Sequence, residues 1–376
     1  MKRLDNIDIL RGIVMVLMCI DHARDYTGLF PTDPMSLAET PFWLYLLRIL
    51  SHLCAPTFIF LAGISMGISG ERKSKRELSV YLITRGSVLC LLELTLVNWG
   101  WSFNPLYGTL YLQVIWAIGV SMIAMGALIH LGRRALFLFA LTVLFTHNLF
   151  SSVRFETNTL AHYLWSFLLQ KNLLPLGDAL QVRTTYPILP VLSVMCLGYW
   201  VSAWYTTQDS KSRSRKLLIM AISMIGMLLL CRLVLNYGDT QAIEWGQFAR
   251  SFANLTKYPL SLDFVLLYLS FPILFLALSD QCHFGKSNPL MMIGQVPMFF
   301  YILHLYVLHC IILLYLIYKG FSLDFNTSLG AVPANVGFPA WWLWWVVPLT
   351  VLLLLLPCKY YSRIKQSKKY PFTKYI

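Results

Sequence analysis

Charge is scarce in this chain. Asp, Glu, Lys and Arg supply 12% of its 376 residues, about half the ~25% of an ordinary soluble protein. Hydrophobic residues make up 57% and the mean hydropathy is +0.63. Long apolar runs recur from end to end, which excludes a soluble core of this size and indicates a polytopic membrane protein. A polar linker is also missing, so residues 1–376 read as a single transmembrane domain. CxxC pairs and ligand-spaced cysteines are absent. The eight cysteines (Cys19, Cys54, Cys90, Cys196, Cys231, Cys282, Cys310 and Cys358) lie singly and read as small apolar packing residues. HxxxH and HxxE are absent, and His304 and His309 lie roughly 140° apart on a helix, so no metal is expected. No small-residue cleavage site follows the first apolar stretch, which Asp8, Arg11, Asp21 and His22 interrupt; a cleaved signal peptide is not expected. No internal repeat of the transporter kind is visible.

What is present is a periodic alternation of apolar spans and short basic clusters. Ten spans are expected, near 8–30, 42–69, 78–100, 107–130, 134–151, 187–206, 216–236, 260–280, 290–319 and 341–358. With the N-terminus inside, 21 of the 30 Lys and Arg fall on one set of loops and the tail. That asymmetry places both termini in the cytoplasm. It also accounts for the net charge of +13 without nucleic acid: anionic headgroups and an anionic substrate are the expected partners. The fold class is therefore all-α integral membrane. The outer connections 152–186 and 237–259 each hold an amphipathic stretch, around Trp165 and Phe167 and around Trp245, Phe248 and Phe252. These give one or two interfacial helices on the outer side. The connection 320–340 leads into the interfacial anchor Trp341, Trp342, Trp344 and Trp345.

Titratable groups inside a span are costly and so are candidates for function. Arg11 and His22 are eleven residues apart in the first span. That separation is about 20° past three full helical rotations and roughly 16 Å of rise, half of a ~30 Å hydrocarbon layer. A cation near the inner face and an imidazole deep inside thus share one stripe. His52, His147, His304 and His309 are expected at the same depth as His22, in an outward-opening polar cavity with Arg48, Trp116 and Asn148.

The segment RLDNIDILRGIVMVLMCIDHARDY (3–26) resembles the opening of the transmembrane acyltransferases. In acyltransferase family 3 an Arg, ten residues and a His occupy the first helix, a pattern that carries onto Arg11 and His22. A match along most of the chain is to the bacterial family related to the catalytic region of heparan-α-glucosaminide N-acetyltransferase. It is carried by SHLCAPTFIFLAGIS (51–65), LQVIWAIGVSMI (112–123), HNLF (147–150), TTYPILPVLSVMCLGY (184–199) and QVPMFFYILHLYVLH (295–309). Phe42 or a neighbour falls near the place of that family's catalytic histidine, with His52 close but out of register.

The resemblance implies a multi-pass enzyme of a bacterial cytoplasmic (inner) membrane that modifies the cell envelope. It would move an acyl group, acetyl in the first instance, from cytoplasmic acetyl-CoA or another acyl-CoA to a hydroxyl or amine of an extracytoplasmic glycan or lipid-linked acceptor. On that reading Arg11, Arg3, Arg133 and Arg134 bind the CoA phosphates. His22 is the base, Asp21 or another carboxylate orients it, and His52, His304, Asn148 or Trp116 donate to the oxyanion. Arg48, Trp116, His147 and Asn148 line the acceptor side. Membrane lipids are expected partners, and a homodimer is left open. The competing reading is a proton-coupled secondary transporter using His22, His52 and His304 as a relay.

Overall fold

A computed structural model describes residues 4–27, 34–36, 40–104, 108–178, 180–285, 288–323, 339–367 and 369–375. Within a bilayer the backbone must satisfy its own hydrogen bonds, so apolar runs become helices. In chain order these are α1 (Asp5–Thr27), α2 (Phe42–His52), α3 (Cys54–Gly70), α4 (Lys75–Leu92), α5 (Asn98–Ser102), α6 (Val114–Leu128), α7 (Arg133–Thr146) and α8 (Leu160–Leu168). There follow α9 (Ile188–Thr207), α10 (Ser210–Leu229), α11 (Phe248–Ala253), α12 (Leu262–Ser279), α13 (Pro289–Gln295), α14 (Pro297–Tyr318) and α15 (Leu343–Ser367). Three short strands, β1 (Thr109–Leu112), β2 (Asn172–Leu176) and β3 (Leu180–Thr184), form one sheet in the order β1-β3-β2.

Among the described residues, eight helical stretches are long and apolar enough to cross a membrane. They coincide with eight of the expected spans, and the protein is an all-α multi-pass membrane protein. The other two expected spans are α1, which carries more charge, and α7, which is shorter. Asp5 and Asp8 in the first turn of α1 and Arg24 in its last complement the helix dipole. The expected span 290–319 is divided in two. Pro297 lacks the N–H that a continuous helix would use, and the chain turns at Val296 between α13 and α14. The amphipathic stretches form α8 and, after a 3₁₀ turn at Trp245–Gln247, α11. The connection 152–186 also contains the antiparallel hairpin β2–β3, paired from Asn172↔Thr184 to Leu176↔Leu180. Most of the connection 320–340 lies outside the described residues.

The chain forms two compact units. The first comprises residues 1–54, 92–110 and 283–376. Here α1 packs on α13, α14, α15 and α2. The approach of α1 to α13 depends on glycine: a Cβ on Gly12 would lie 1.9 Å from the Leu290 carbonyl oxygen, and one on Gly294 would lie 1.8 Å from that of Asp8. Small residues that let backbones touch are the usual membrane solution. Since Gly12 meets Leu290 and Gly294 meets Asp8, α13 runs antiparallel to α1. His22 meets His304 and Tyr26 meets His309, so α14 runs parallel to it.

The second unit comprises residues 55–91 and 111–282, with α7 and α6 packed on α9 and α10 on α12. Ion pairs stand at both ends: Arg133 with Glu71 at 2.7 Å and Arg213 with Asp280 at 2.8 Å at one, Arg232 with Asp263 at 3.6 Å at the other. At the Arg232 end His147 also reaches the Leu260 carbonyl at 2.9 Å, and the Tyr237 hydroxyl donates to the Phe145 carbonyl. Side-chain caps start α8, α10 and α12, from Thr159, Asp209 and Ser261.

Candidate functional site

The first unit brings His22 and His304 together. Nδ1 of His22 lies 2.7 Å from Nε2 of His304, and the rings stack with centroids 5.0 Å apart. Residue 304 is fully buried. Its Nδ1 lies 3.1 Å from the Phe300 carbonyl one turn earlier. A carbonyl only accepts, so in the neutral ring Nδ1 carries the proton and Nε2 is the acceptor. His22 then donates from Nδ1 and holds its lone pair at Nε2. A backbone carbonyl on α14 thus fixes the tautomer of a side chain on α1.

An ionic chain occupies the same turns of α1. Nη1 of Arg48, from α2, donates to both Asp21 oxygens, at 2.6 and 2.5 Å. Nη2 of Arg24 lies 3.1 Å from Asp21 and 2.5 Å from Asp25. Two guanidinium groups and two carboxylates alternate with no net charge. The side chains of Asp21, Arg24 and Arg48 are at most 14% exposed, and removing one member of such a buried set costs about 3–5 kcal/mol.

A third wall comes from α5. A π-helical turn at Glu93–Val97 precedes it, a feature common at functional sites. The Gly100 carbonyl accepts from the Tyr26 hydroxyl at 2.7 Å and from His309 Nδ1 at 2.9 Å. This anchors α5 to α1 and α14 at once. Trp101 then meets the His22 ring edge-on at 4.7 Å and stacks on Tyr26 at 5.2 Å. It is 7% exposed, and its Nε1 has no hydrogen-bond partner among the described residues. Tyr301 closes the wall, 6.0 Å from His22. Phe103, in left-handed backbone at φ 45°, stacks on His309 at 3.9 Å.

Arg11 is on the His22 stripe of α1, and its Nη1 donates to Asp8 at 3.1 Å. His52 ends α2, 2% exposed. Arg3 lies outside the described residues. Arg133, Arg134, Trp116, His147 and Asn148 belong to the second unit. There Arg133 pairs with Glu71 and lies 5.6 Å over the Tyr199 ring. Arg134 is exposed at the start of α7, and Trp116 lends its carbonyl to the Cys90 thiol at 4.0 Å. His147 spans the carbonyls of Val143 and Leu260, both at 2.9 Å, and Asn148 donates to Gly238 at 2.5 Å. Sequence reasoning passed over Tyr26, Gly100 and Trp101. Tyr26 carries a readable signal, since it follows His22 by four residues and shares its face. Gly100 and Trp101 follow the π turn, which no periodicity announces. Among the described residues no group of three His, Cys, Asp or Glu is arranged to hold a metal.

The family model for the catalytic region of heparan-alpha-glucosaminide N-acetyltransferase matches residues 3–237. The match takes in Asp21, His22, Arg48 and Trp101 and stops short of His304. No curated protein matches the chain.

Proposed function

Because the chain belongs to the heparan-alpha-glucosaminide N-acetyltransferase catalytic family and is thereby a membrane transferase of acetyltransferase type, we propose that it acetylates an extracytoplasmic acceptor from acetyl-CoA, with His22 as general base. The acceptor class is a glycan or lipid-linked sugar with a free hydroxyl or amine, and the setting is a bacterial cytoplasmic membrane. The single observation that carries the reading is the 2.7 Å contact between His22 and a His304 anchored on its own helix backbone.

His22 Nε2 takes the proton of the acceptor O–H or N–H as that atom attacks the thioester carbon. The proton charge is then shared through Nδ1–H with His304, which plays the part that a carboxylate plays beside a catalytic histidine elsewhere. The negative charge developing on the thioester oxygen needs a donor, and Trp101 Nε1 is a buried N–H at hand. The C–S bond breaks as the tetrahedral adduct collapses, and the CoA thiolate leaves with the proton returned from His22. Acetyl ester or amide and CoA thiol are the products. The chain Arg48–Asp21–Arg24–Asp25 holds the turn of α1 that carries His22. Arg11, roughly 16 Å below His22 by helical rise, receives the phosphates of acyl-CoA from the cytoplasmic side, and pantetheine spans the interval. The basic loops at one end of the second unit support a cytoplasmic assignment of that end.

The test uses purified protein in proteoliposomes, labelled acetyl-CoA and a panel of amino sugars and polyols. His22→Ala abolishes transfer and leaves acetyl-CoA binding by calorimetry within about twofold; Arg11→Ala weakens that binding. Full turnover by His22→Ala removes His22 as the base. Proton-coupled uptake of a solute with no transfer to any acceptor would establish the transporter reading instead.

A further inference from the structure

We propose that the second unit holds one anionic phospholipid, its acyl chain in a groove between α7, α9, α10 and α12 and its headgroup at Lys216. The groove has a volume of about 470 Å³, within the ~300–1,000 Å³ of small-molecule sites. Phe137, Leu141, Trp200, Trp204 and Met220 are among its walls, and apart from the indoles its only polar side chains are Lys216 and Ser223. It takes no part in the chemistry assigned to His22, whose residues all lie in the first unit.

Three observations select the occupant. The first is length. The lining residues on α10 run from Lys216 to Met227, about 16 Å of helix, which is one leaflet of a ~30 Å hydrocarbon layer. The second is lining. Leu141, Leu144, Leu197, Ile219, Met224 and Leu266 form a continuous apolar wall along that length, which accepts a hydrocarbon chain. The third is charge. Lys211, Arg213, Arg215 and Lys216 open α10, and among the described residues Arg213 alone of the four pairs with a carboxylate, that of Asp280. Among the described residues no carboxylate lies within ion-pair distance of Lys216, which sits 6.0 Å over the Trp204 ring at the mouth of the groove. An apolar shaft ending in unneutralised cations is complementary to an amphiphile with an anionic head.

The experiment is native mass spectrometry of the full chain, purified in mild detergent and supplied with phosphatidylglycerol or phosphatidylethanolamine of equal chain length. The expected result is one phosphatidylglycerol retained per chain, at least tenfold over phosphatidylethanolamine. Ser223→Trp, which fills the groove midway, abolishes retention. Lys216→Glu, an exposed change that leaves the fold intact, abolishes the preference for the anionic lipid. Equal retention of the two lipids, retention undiminished in Lys216→Glu, or displacement of the lipid by palmitoyl-CoA at equal concentration overturns the proposal. So does a wild-type dimer that Ser223→Trp converts to monomer, since the groove would then seat a second copy.

Discussion

Replacing His304 by phenylalanine isolates the feature on which the catalytic reading rests. The substitution keeps an aromatic ring of similar size in a fully buried place, where it stacks near Phe300 at 5.6 Å, so no cavity opens. It deletes the acceptor 2.7 Å from His22 Nδ1. Leaving that bond unmade costs about 1–3 kcal/mol of stability. The catalytic cost is larger, because without the anchor His22 no longer holds its lone pair at Nε2. A positioned base contributes about 10²–10⁴-fold, so kcat is expected to fall by that factor, equivalent to ~3–5 kcal/mol of barrier. KM for acetyl-CoA should stay within about twofold, since the proposal seats the nucleotide at Arg11. His304→Gln offers an amide oxygen to the same Nδ1–H and should recover at least about tenfold of the lost rate. The assay is acetyl transfer in proteoliposomes, with unfolding followed by the intrinsic tryptophan signal. A His304→Phe enzyme with more than a third of wild-type kcat, or one whose loss lies wholly in KM, refutes the tautomer argument.

Trp101→Phe keeps the stack on Tyr26 and removes Nε1; kcat should fall about 10²–10³-fold with acetyl-CoA affinity unchanged by calorimetry, and an undiminished kcat would exclude the indole as oxyanion donor. Asp21→Asn leaves Arg48 and Arg24 without their shared carboxylate and should cost about 3–5 kcal/mol by denaturant titration, whereas Asp21→Leu with Arg48→Met should restore most of it. Gly294→Ala drives a methyl into the Asp8 carbonyl, 1.8 Å away, and should lower stability by about 1–3 kcal/mol or more, read as a drop in Tm. His147→Ala breaks a clasp between two carbonyls in the second unit and should cost about 1–3 kcal/mol with kcat unchanged, so a selective rise in acceptor KM would show that it touches substrate.

Eight of the expected spans were legible because each is a separate hydropathy run; α1 is a helix in the expected place, its charges gathered at the ends and on one stripe. What local pattern could not supply was the break at Pro297, set in an apolar run on both sides, and the π turn at Glu93–Val97. The hairpin is a different omission. Leu180, Val182 and Thr184 alternate with Gln181 and Arg183, and only Val182 and Thr184 become buried, but the alternation is too short to stand out beside the amphipathic stretch of α8. In the site, depth alone set His22 and His304 at one level. Their hydrogen bond joins residues 282 positions apart, and nothing in either helix names its partner. The contacts of Arg48 with Asp21 were hidden for the same reason. His147 and Asn148 share the depth of His22 by counting, yet their side chains serve carbonyls of the second unit. Depth is one coordinate of three, and sequence periodicity gives a second only within a single helix.

A pair of histidines is a sensible device at this place for an electrostatic reason. Asp21 precedes His22 on the same turn and is the first carboxylate that the resemblance offered for orienting it. A carboxylate free enough to do so would carry a full charge into the apolar layer before reaction, at a desolvation cost of several kcal/mol. Here both oxygens of Asp21 instead meet Arg48, and the alternating set with Arg24 and Asp25 has no net charge. On the proposed mechanism the orienting role passes to His304, a neutral ring whose own direction is set by the Phe300 carbonyl. Charge then exists at His22 only while the acceptor proton resides there, when the thioester oxygen bears the opposite sign. The two develop and vanish together. Substituting the dyad's second ring by a carboxylate, His304→Asp, tests this directly: it should lower stability by more than His304→Phe does without restoring kcat, and a stable, fast His304→Asp enzyme would show that neutrality of the orienting group is not what the site requires.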